Sequence, residues 1–250
     1  FADGDAISGE AVLLRDALRG LGYESDIFSD PAHVTPGLKD QCQSHDRYSP
    51  SPDSALIYHF SIGSPATRVF LQAPARKIMI YHNITPPDFF RGFDDHVARQ
   101  LQEARGELRT VAAAAQAVWA DSRFNAAEIE ALGVRPVAVL PLLFKPGSPS
   151  APQDAVIRAR FAGAMDNWLF VGRIAPNKRV EDLIQAFAWY NKTLQPFSRL
   201  IIVGSDRSCP RYYAMLRMLA GELDLPNVCF EGFASPESLS AYYSAASVFV

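Results

Sequence analysis

Short apolar runs alternate with amphipathic segments along the whole chain, and this alternation restricts the fold more than any other feature of the sequence. Most of the runs are β-branched or aromatic and stay apolar at successive positions, as expected for parallel strands that are buried on both faces. Strands that alternate with helices form βαβ units, so the sequence predicts an α/β protein with doubly wound parallel sheets. The predicted strands are residues 26–28, 55–60, 77–81, 117–120, 137–140, 167–171, 200–203, 227–230 and 247–250.

Helices are predicted between these strands from apolar residues that recur every three or four positions. Residues 11–21 show this spacing near the start of the chain, and residues 93–118 show it over a longer stretch that predicts one long helix. Near the end of the chain, Ser235 followed by Pro236 is typical of an N-cap and a first helical residue.

A proline-rich segment divides the chain. Residues 141–154, PLLFKPGSPSAPQD, contain four prolines and a glycine and are typical of an interdomain linker. The sequence therefore predicts two Rossmann-like domains, residues 1–145 and 146–250. The first domain opens on a loop without a preceding strand, and the second ends on the apolar strand SVFV. An unfinished βαβ unit at each end predicts that the sequence is a piece of a longer chain, with the second domain truncated.

The composition excludes some classes of protein. With 48% hydrophobic residues the chain can bury a core, and 24 Lys+Arg against 27 Asp+Glu give a net charge of −3, which argues against a nucleic-acid binder. Three scattered cysteines and no apolar run of about 18 residues predict a reduced, cytoplasmic protein. The chain contains no HExxH and no paired CxxC, so no metal and no cofactor is predicted.

The stretch NWLFVGRIAPNKRVEDLIQAF, residues 167–187, places cations directly after a predicted strand. Ligands of open α/β sheets bind beyond the carboxyl ends of the strands, where a helix N-terminus offers unpaired N–H groups. Arg173 and Lys178 would complete a site for a diphosphate there. The alternative is a solvated loop whose cations pair with Glu181 or Asp182.

Three blocks in this half of the chain resemble the donor-binding domain of family 4 retaining glycosyltransferases, also called glycosyl transferases group 1. The blocks are FVGRIAPNKRVEDLIQAF, RLIIVGSD and LPNVCFEGFASPESLSAYYSAASVFV. The resemblance implies the GT-B fold, in which two Rossmann-like domains face a cleft and no metal is needed. It assigns Arg173 and Lys178 to the donor diphosphate. The family often has glycine after the lysine, where this chain has Arg179.

The resemblance also assigns further residues to the donor. Gly204, Ser205, Phe233 and Ala234 follow two predicted strands and would hold the nucleobase and ribose. At the start of the chain, GDAISGEAVLLRDALRGLGYESDIF resembles the first loop and helix of the family. Its Gly4 and Asp5 would approach the donor phosphates, because glycine lets backbone N–H groups come close. A plain surface turn is the alternative for this loop.

One histidine is the candidate catalytic residue. His82 follows a predicted buried strand in IMIYHNITPPDFF and can bond a sugar hydroxyl or exchange a proton near neutral pH. The resemblance implies that a histidine at this position lines the acceptor and donor-sugar side of the cleft. The alternative is a histidine that is hydrogen-bonded to backbone. His59 ends another strand and is predicted to form the cleft wall. Asp121 and Ser122, followed by Asn125, are explained by helix capping.

The resemblance implies a hexosyltransferase of polysaccharide biosynthesis that moves a hexose from a nucleotide-diphosphate sugar to a saccharide or lipid-linked acceptor. No nucleic acid is expected as partner, and the parent chain could contact the inner face of a membrane peripherally. The family has a glutamate pair soon after the last predicted strand, beyond Val250, so this piece is predicted to be inactive. The alternatives are a non-catalytic module that binds sugar nucleotides or polysaccharide, and a GT-B nucleotide-sugar epimerase.

Overall fold

The computed structural model describes residues 1–2, 4–144 and 154–250, and the chain forms two compact α/β units. The first unit is Phe1–Pro87 with His96–Pro146, and the second is Asp88–Asp95 with Gly147–Val250. Most of the predicted linker, residues 145–153, and with it the predicted domain boundary, lies outside the described residues.

The first unit is built on a four-stranded parallel sheet with the strand order β3-β4-β5-β6. Strands β1 and β2 form a separate parallel pair. The elements are α1 (Ala6–Gly20), β1 (Phe28–Ser29), β2 (Gln43–Ser44), β3 (Ala55–Phe60), α2 (Pro65–Gln72), β4 (Arg76–Tyr81), α3 (Asp95–Ala114), β5 (Ala117–Ala120), α4 (Arg123–Ala131) and β6 (Val137–Val139).

The second unit has its own four-stranded parallel sheet, with the strand order β10-β7-β8-β9. The strands alternate with helices along the chain, as in a doubly wound sheet. The elements are α5 (Ala155–Phe161), β7 (Asp166–Val171), α6 (Val180–Thr193), β8 (Ser198–Val203), α7 (Pro210–Glu222), β9 (Val228–Gly232), α8 (Pro236–Ala245) and β10 (Val248–Phe249).

Strand β8 shows why its sequence is apolar at successive positions. Leu200 and Ile202 are fully buried in one core cluster, which also contains Phe187 of α6. Ile201 is fully buried in a different cluster, with Tyr242 of α8. Because successive side chains of a strand point to opposite faces, both faces of this sheet are covered by helices. Among the described residues, no helix is both long enough and apolar enough to cross a membrane.

The predicted strands 55–60 and 117–120 coincide with β3 and β5, and the other predicted strands overlap observed ones with shifted ends. Strand 26–28 shares only Phe28 with β1. The prediction of one helix over 93–118 is wrong at its ends, because α3 covers Asp95–Ala114 and Val118 lies buried in β5. An apolar residue of a buried strand can continue a helical spacing by coincidence, so periodicity alone did not separate the two elements.

Candidate active site

The loops that follow β7, β8 and β9 meet at the carboxyl edge of the second unit's sheet. The N–H of Gly172 donates to the Val203 carbonyl at 3.0 Å, and the N–H of Gly204 donates to the Gly232 carbonyl at 2.8 Å. These two hydrogen bonds hold the three loops side by side. The residues that follow each glycine therefore lie at the edge where open α/β sheets bind ligands.

Gly204 and Ser205 lie in the middle of these loops. Gly204 packs against the backbone of Gly172, and a side chain on Gly204 would collide with it. The Ser205 hydroxyl accepts a hydrogen bond from the Arg207 N–H at 3.2 Å, which leaves its own proton available to a ligand. Contact of Gly204 and Ser205 with a donor stays a prediction.

Arg173 and Lys178 are both exposed in the loop between β7 and α6. Within the part of the chain that the structure describes, neither side chain forms an ion pair. Arg179 behaves differently, because its guanidinium donates to the Asp182 carboxylate at 2.9 Å and lies 3.2 Å from Glu181. The alternative reading, in which the cations of this loop pair with these two acids, therefore applies to Arg179 and leaves the other two cations available to an anion.

Arg179 also explains a departure from the family pattern. Its backbone is left-handed, with φ 52° and ψ 40°, at the residue that precedes α6. Glycine adopts this conformation without strain, whereas other residues do so rarely. The glycine that the family often has at this position is thus explained by the backbone, and the chain keeps the same turn with arginine.

The N-terminus of α6 is not the open anion site that the sequence suggested. The first N–H of the helix, on Val180, donates to the Tyr212 hydroxyl at 2.8 Å, and that hydroxyl donates in turn to the Glu181 carboxylate. Burial and this carboxylate raise the pKa of Tyr212. Because Glu181 and Asp182 place two acidic side chains in the first turn, the helix end contributes less to anion binding than expected, and the charge must come from the loop.

Phe233 and Ala234 follow β9 and differ in their surroundings. The Phe233 side chain is 71% exposed, an unusual position for an aromatic ring at the edge of a sheet. Ala234 packs against the core cluster that contains Leu169. An exposed ring at this edge of the sheet can stack on a nucleobase, whereas Ala234 packs against the core and supports the loop. Contact of either residue with a donor stays a prediction.

Gly4 and Asp5, in the first unit, form the N-terminal turn of α1. Gly4 has φ 74°, so glycine is favoured there. The Asp5 carboxylate caps the helix, accepting from the Ser8 N–H at 3.0 Å and from the Ser8 hydroxyl at 2.8 Å. Capping accounts for this carboxylate within the described residues, and contact of the loop with donor phosphates stays a prediction.

Two histidines meet at the carboxyl edge of the first unit's sheet. The backbone N–H of His82 donates to the Phe60 carbonyl at 3.0 Å. His59 lies opposite Ile80 in the register of β3 and β4. Ile80 and His82 are two positions apart and point to the same face, so the two imidazoles become neighbours. His59 Nδ1 and His82 Nε2 are 2.9 Å apart, a hydrogen bond between ring nitrogens.

Two carboxylates, Glu10 and Asp121, lie beside the imidazoles. We call Glu10, His59, His82 and Asp121 the histidine cluster. Glu10 Oε2 lies 3.4 Å from His82 Nε2 and 3.6 Å from His59 Nδ1, and it has no hydrogen-bond partner within the described residues. The other oxygen, Oε1, accepts from the Leu143 N–H at 3.3 Å. Asp121 Oδ2 lies 3.6 Å from His82 Nδ1. The Glu10 and His82 side chains are each 1% exposed.

Burial determines the charge of this cluster. It lowers the pKa of His59 to about 3, with a further contribution from the neighbouring His82. Burial also lowers the pKa of His82, against an opposing effect of Asp121. The pKa of Glu10 is raised by burial, although the hydrogen bond from Leu143 acts in the other direction. Both imidazoles are therefore neutral at neutral pH, and each carries one N–H.

Glu10, His59 and His82 also form the one group of three metal-type ligands found in the described residues, with one atom of each within 4.8 Å of the others. Two histidines and a glutamate are a known zinc ligand set. The rings are 5° from parallel with centroids 5.1 Å apart, so the facing nitrogens lie between the rings and point at each other. A metal ion would need both lone pairs to converge on it instead, and the arrangement is that of an N–H···N hydrogen bond.

The structure therefore places His82 differently from the simplest expectation. Neither of its ring nitrogens is turned towards solvent, and its partner is another imidazole rather than backbone. Sequence reasoning missed Glu10 and gave Asp121 only a capping role, while Ser122 does cap α4 by accepting from the Asn125 N–H at 3.2 Å. The sequence did contain a signal for Glu10. This residue lies four positions before Leu14, so it is an acidic residue on the apolar stripe of α1.

Comparison with known proteins agrees with this geometry. The family model described as "Glycosyl transferases group 1" matches residues 165–250, which contain the three glycine-linked loops. We call these matched residues, 165–250, the glycosyltransferase segment. The glycosyltransferase segment thus carries Arg173 and Lys178 in the spacing on which the resemblance was based. Among the curated proteins, none matches the chain.

Solved structures extend the likeness beyond the glycosyltransferase segment. A glycosyltransferase from Rickettsia africae is 13% identical over 99% of this chain and 69% of its own, with a TM-score of 0.63. An E. coli structure described as trehalose-6-phosphate bound with UDP-2-fluoro glucose is 11% identical over 98% and 56%, with a TM-score of 0.54. A UDP-forming α,α-trehalose-phosphate synthase from Burkholderia xenovorans is 13% identical over 80% and 52%, with a TM-score of 0.52.

At these identities the likeness concerns the fold. It confirms the predicted fold class, two Rossmann-like parallel-sheet units of the GT-B type. The chain spans between about half and two thirds of the length of these solved structures.

Proposed function

We propose that the protein is a glycosyltransferase that moves a hexose from a nucleotide-diphosphate sugar to a saccharide or lipid-linked acceptor. One observation carries the proposal. Arg173 and Lys178 are exposed and without ion-pair partners among the described residues, in the glycosyltransferase segment. Unpaired cations at the carboxyl edge of a parallel sheet suit an anionic ligand.

The two cations suit the chemistry of sugar transfer. When the glycosidic bond to the donor breaks, negative charge builds on the diphosphate that leaves. Fixed cations stabilise this charge more in the transition state than in the ground state and so lower the barrier. The Arg173 guanidinium can bind two phosphate oxygens at once, and the Lys178 ammonium acts as a point charge. With these two groups the site holds a diphosphate through protein cations, and we propose no metal cofactor.

The finer features rest on the family resemblance. It supports retention of configuration at the transferred carbon and a hexose as the transferred sugar. The E. coli structure, named as bound with UDP-2-fluoro glucose, supports a uridine nucleotide as the first donor to try. We assign the acceptor side to the first unit, where the histidine cluster places two neutral imidazoles at the carboxyl edge of the sheet. All three cysteines are free, which fits the proposed cytoplasmic location.

The test uses the natural protein that contains these 250 residues. It is incubated with UDP-, GDP- and ADP-hexoses and a mixture of saccharide acceptors, and released nucleotide and sugar products are measured. NMR of the product gives its anomeric configuration. We expect one nucleotide sugar to be consumed with retention, and we expect Lys178→Ala to lose this activity.

Lys192→Ala is the matched control, because Lys192 is exposed in the last turn of the same helix that follows Lys178. Its activity should equal that of the wild type. Nucleotide binding without consumption of any donor would contradict the proposal and favour a non-catalytic binding module. Interconversion of donor sugars without transfer would favour an epimerase.

A further inference from the structure

We propose that His59, rather than His82, is the member of the histidine cluster that contacts the acceptor, and that His82, Glu10 and Asp121 position His59. The inference rests on the proposed function and adds a role that the sequence did not give to His59.

The His82 ring is enclosed. Its Nε2 faces His59 Nδ1 at 2.9 Å, its Nδ1 faces the Asp121 carboxylate at 3.6 Å, and its side chain is 1% exposed. A sugar hydroxyl can reach neither nitrogen without displacing one of these partners. The His59 side chain is 17% exposed, and no described residue is hydrogen-bonded to its Nε2. Of the four ring nitrogens, His59 Nε2 is the one that a ligand can reach.

The Asp121 carboxylate beside His82 Nδ1 indicates where the hydrogens lie. If His82 Nε2 carried the hydrogen of the pair, His82 Nδ1 would present a bare lone pair to Asp121, and two acceptors would repel each other. If His59 Nδ1 carries it instead, His82 Nε2 accepts that hydrogen and His82 Nδ1–H points to Asp121. In this second arrangement each contact joins an N–H to an acceptor, although His82 Nδ1 and Asp121 are 3.6 Å apart and do not form a full hydrogen bond. We therefore assign the hydrogen of both rings to Nδ1.

Glu10 lies beside this hydrogen bond. Its Oε2 lies 3.4 Å from His82 Nε2 and 3.6 Å from His59 Nδ1, and the Leu143 N–H holds the other oxygen at 3.3 Å. Because Oε2 is nearly equidistant from the two facing nitrogens, the assignment of the shared hydrogen rests on Asp121. The Glu10 side chain is 1% exposed, so Glu10 acts on the two rings and does not itself contact the acceptor.

These hydrogen positions leave His59 Nε2 with a bare lone pair. A neutral imidazole nitrogen in this state accepts a hydrogen bond and cannot donate one. The group that it fits is the hydroxyl of an acceptor sugar, which donates its hydrogen to this nitrogen and is thereby held in one orientation. His82 then acts through His59 as a positioning residue, held in turn by Asp121.

The first test reads the hydrogen positions without any activity. Nitrogen-15 NMR of histidine-labelled protein distinguishes Nδ1–H from Nε2–H and a neutral ring from a charged one. We expect both His59 and His82 to be neutral with the hydrogen on Nδ1. A hydrogen on Nε2 of His59 would overturn the inference. Stoichiometric binding of added Zn²⁺, with shifts of both rings, would overturn it in favour of a metal site.

The second test replaces a histidine with a side chain that keeps a polar group near only one of the two ring-nitrogen positions. Asn places its amide near the Nδ1 position of histidine, so His59→Asn keeps a donor towards His82 and lacks the acceptor at Nε2. We expect kcat to fall about 10²-fold, the contribution of a positioned acid–base group, with the donor KM and the melting temperature little changed. His96→Asn is the matched control, since His96 is exposed and outside the cluster, and it should keep wild-type kcat.

His82 gives the complementary pair of variants. Gln places its oxygen near Nε2 and can still accept from His59, whereas Asn cannot, so His82→Gln should lose less kcat than His82→Asn. NMR of His59 in both variants shows whether its hydrogen has moved, which a merely structural role would not predict. Wild-type kcat in His59→Asn, together with a large loss in both His82 variants, would overturn the inference and return the contact to His82.

Failure of the inference and of the proposed function are distinguishable. If the wild-type protein consumes no nucleotide sugar, the proposed function fails and the acceptor contact of His59 fails with it. The NMR measurement still decides the arrangement of the cluster in that case, because it depends on no substrate.

Discussion

Gly204 lies against the backbone of Gly172, so closely that a Cβ on Gly204 would stand 1.9 Å from the Gly172 carbonyl oxygen. The two glycines join the loop after β8 to the loop that carries Arg173. Gly204 does not have a positive φ, so its own backbone conformation does not require glycine. The close approach of the Gly172 backbone requires it.

Gly204→Ala should therefore displace the neighbouring loop. We expect a loss of about 1–3 kcal/mol in the free energy of unfolding, the usual range for overpacking, and weaker binding of nucleoside diphosphates. Gly221→Ala is the matched control, since Gly221 lies within α7 with no atom close to a Cβ, and alanine favours a helix. Urea denaturation of both variants measures this, and equal stability of the two would contradict the close contact.

The left-handed backbone of Arg179 gives a second prediction. Arg179→Gly removes exposed ion pairs with Asp182 and Glu181, which solvent screens, and it relieves the strain of a left-handed backbone. Because these two effects oppose each other, we expect the stability of this variant to stay close to that of the wild type. Arg179→Val, β-branched at a φ of 52°, should be less stable than Arg179→Gly in chemical denaturation. The reverse order would show that the turn is not left-handed.

The depressed pKa of His59 predicts how stability depends on pH. The folded state holds this ring neutral down to about pH 3, whereas the unfolded chain takes up a proton near pH 6.5, so the unfolded state binds more protons between these values. Stability should be fully present above about pH 6.5 and fall as the pH is lowered, by at most about 1.4 kcal/mol per pH unit for one proton. His82 acts in the same direction.

Glu10 opposes this trend, because its raised pKa gives the folded state a proton that the unfolded chain loses at a lower pH. That contribution is present at low pH and is lost as the pH rises. Urea unfolding of the wild type and of His59→Asn at pH 7, 6 and 5 separates the terms. The wild type should lose more stability over this range than the variant, and parallel curves would contradict a neutral buried His59.

Exposed Phe233 predicts a contact that depends on the nucleobase. If the ring stacks on the base, Phe233→Ala should weaken binding of a nucleoside diphosphate by about 1–3 kcal/mol, the range for base–aromatic stacking. Inorganic pyrophosphate, which has no base, should bind the variant and the wild type equally well. Phe233→Trp serves as the control that keeps a stacking surface. Equal loss for both ligands would assign Phe233 to the loop structure instead.

Particular residues show how far the sequence determined these results. The runs 55–60 and 117–120 are short and largely apolar, and this local pattern located β3 and β5. The cations Arg173 and Lys178 were found because strand and loop are adjacent in sequence. The same local reasoning failed for Val118, which continued a helical spacing into a strand.

The histidine cluster could not be predicted in the same way. His59 and His82 meet because β3 and β4 pair in one specific register, and Glu10 reaches them from a helix far away in the chain. Register and helix packing are set by the whole core, so no local pattern gives them. The occupation of the α6 N-terminus by Tyr212 is a contact of the same kind, made by a side chain 32 residues from Val180.

Calorimetric titration with UDP and GDP tests the central claim most directly, because it asks whether the loop after β7 binds a diphosphate. The account predicts that the wild type binds at least one of the two nucleotides. Arg173→Ala should weaken that binding by about 1.5–3 kcal/mol, the range for a hydrogen bond to a charged group, while Lys192→Ala leaves it unchanged. Wild-type affinity in Arg173→Ala would contradict the donor site and, with it, the proposed transferase.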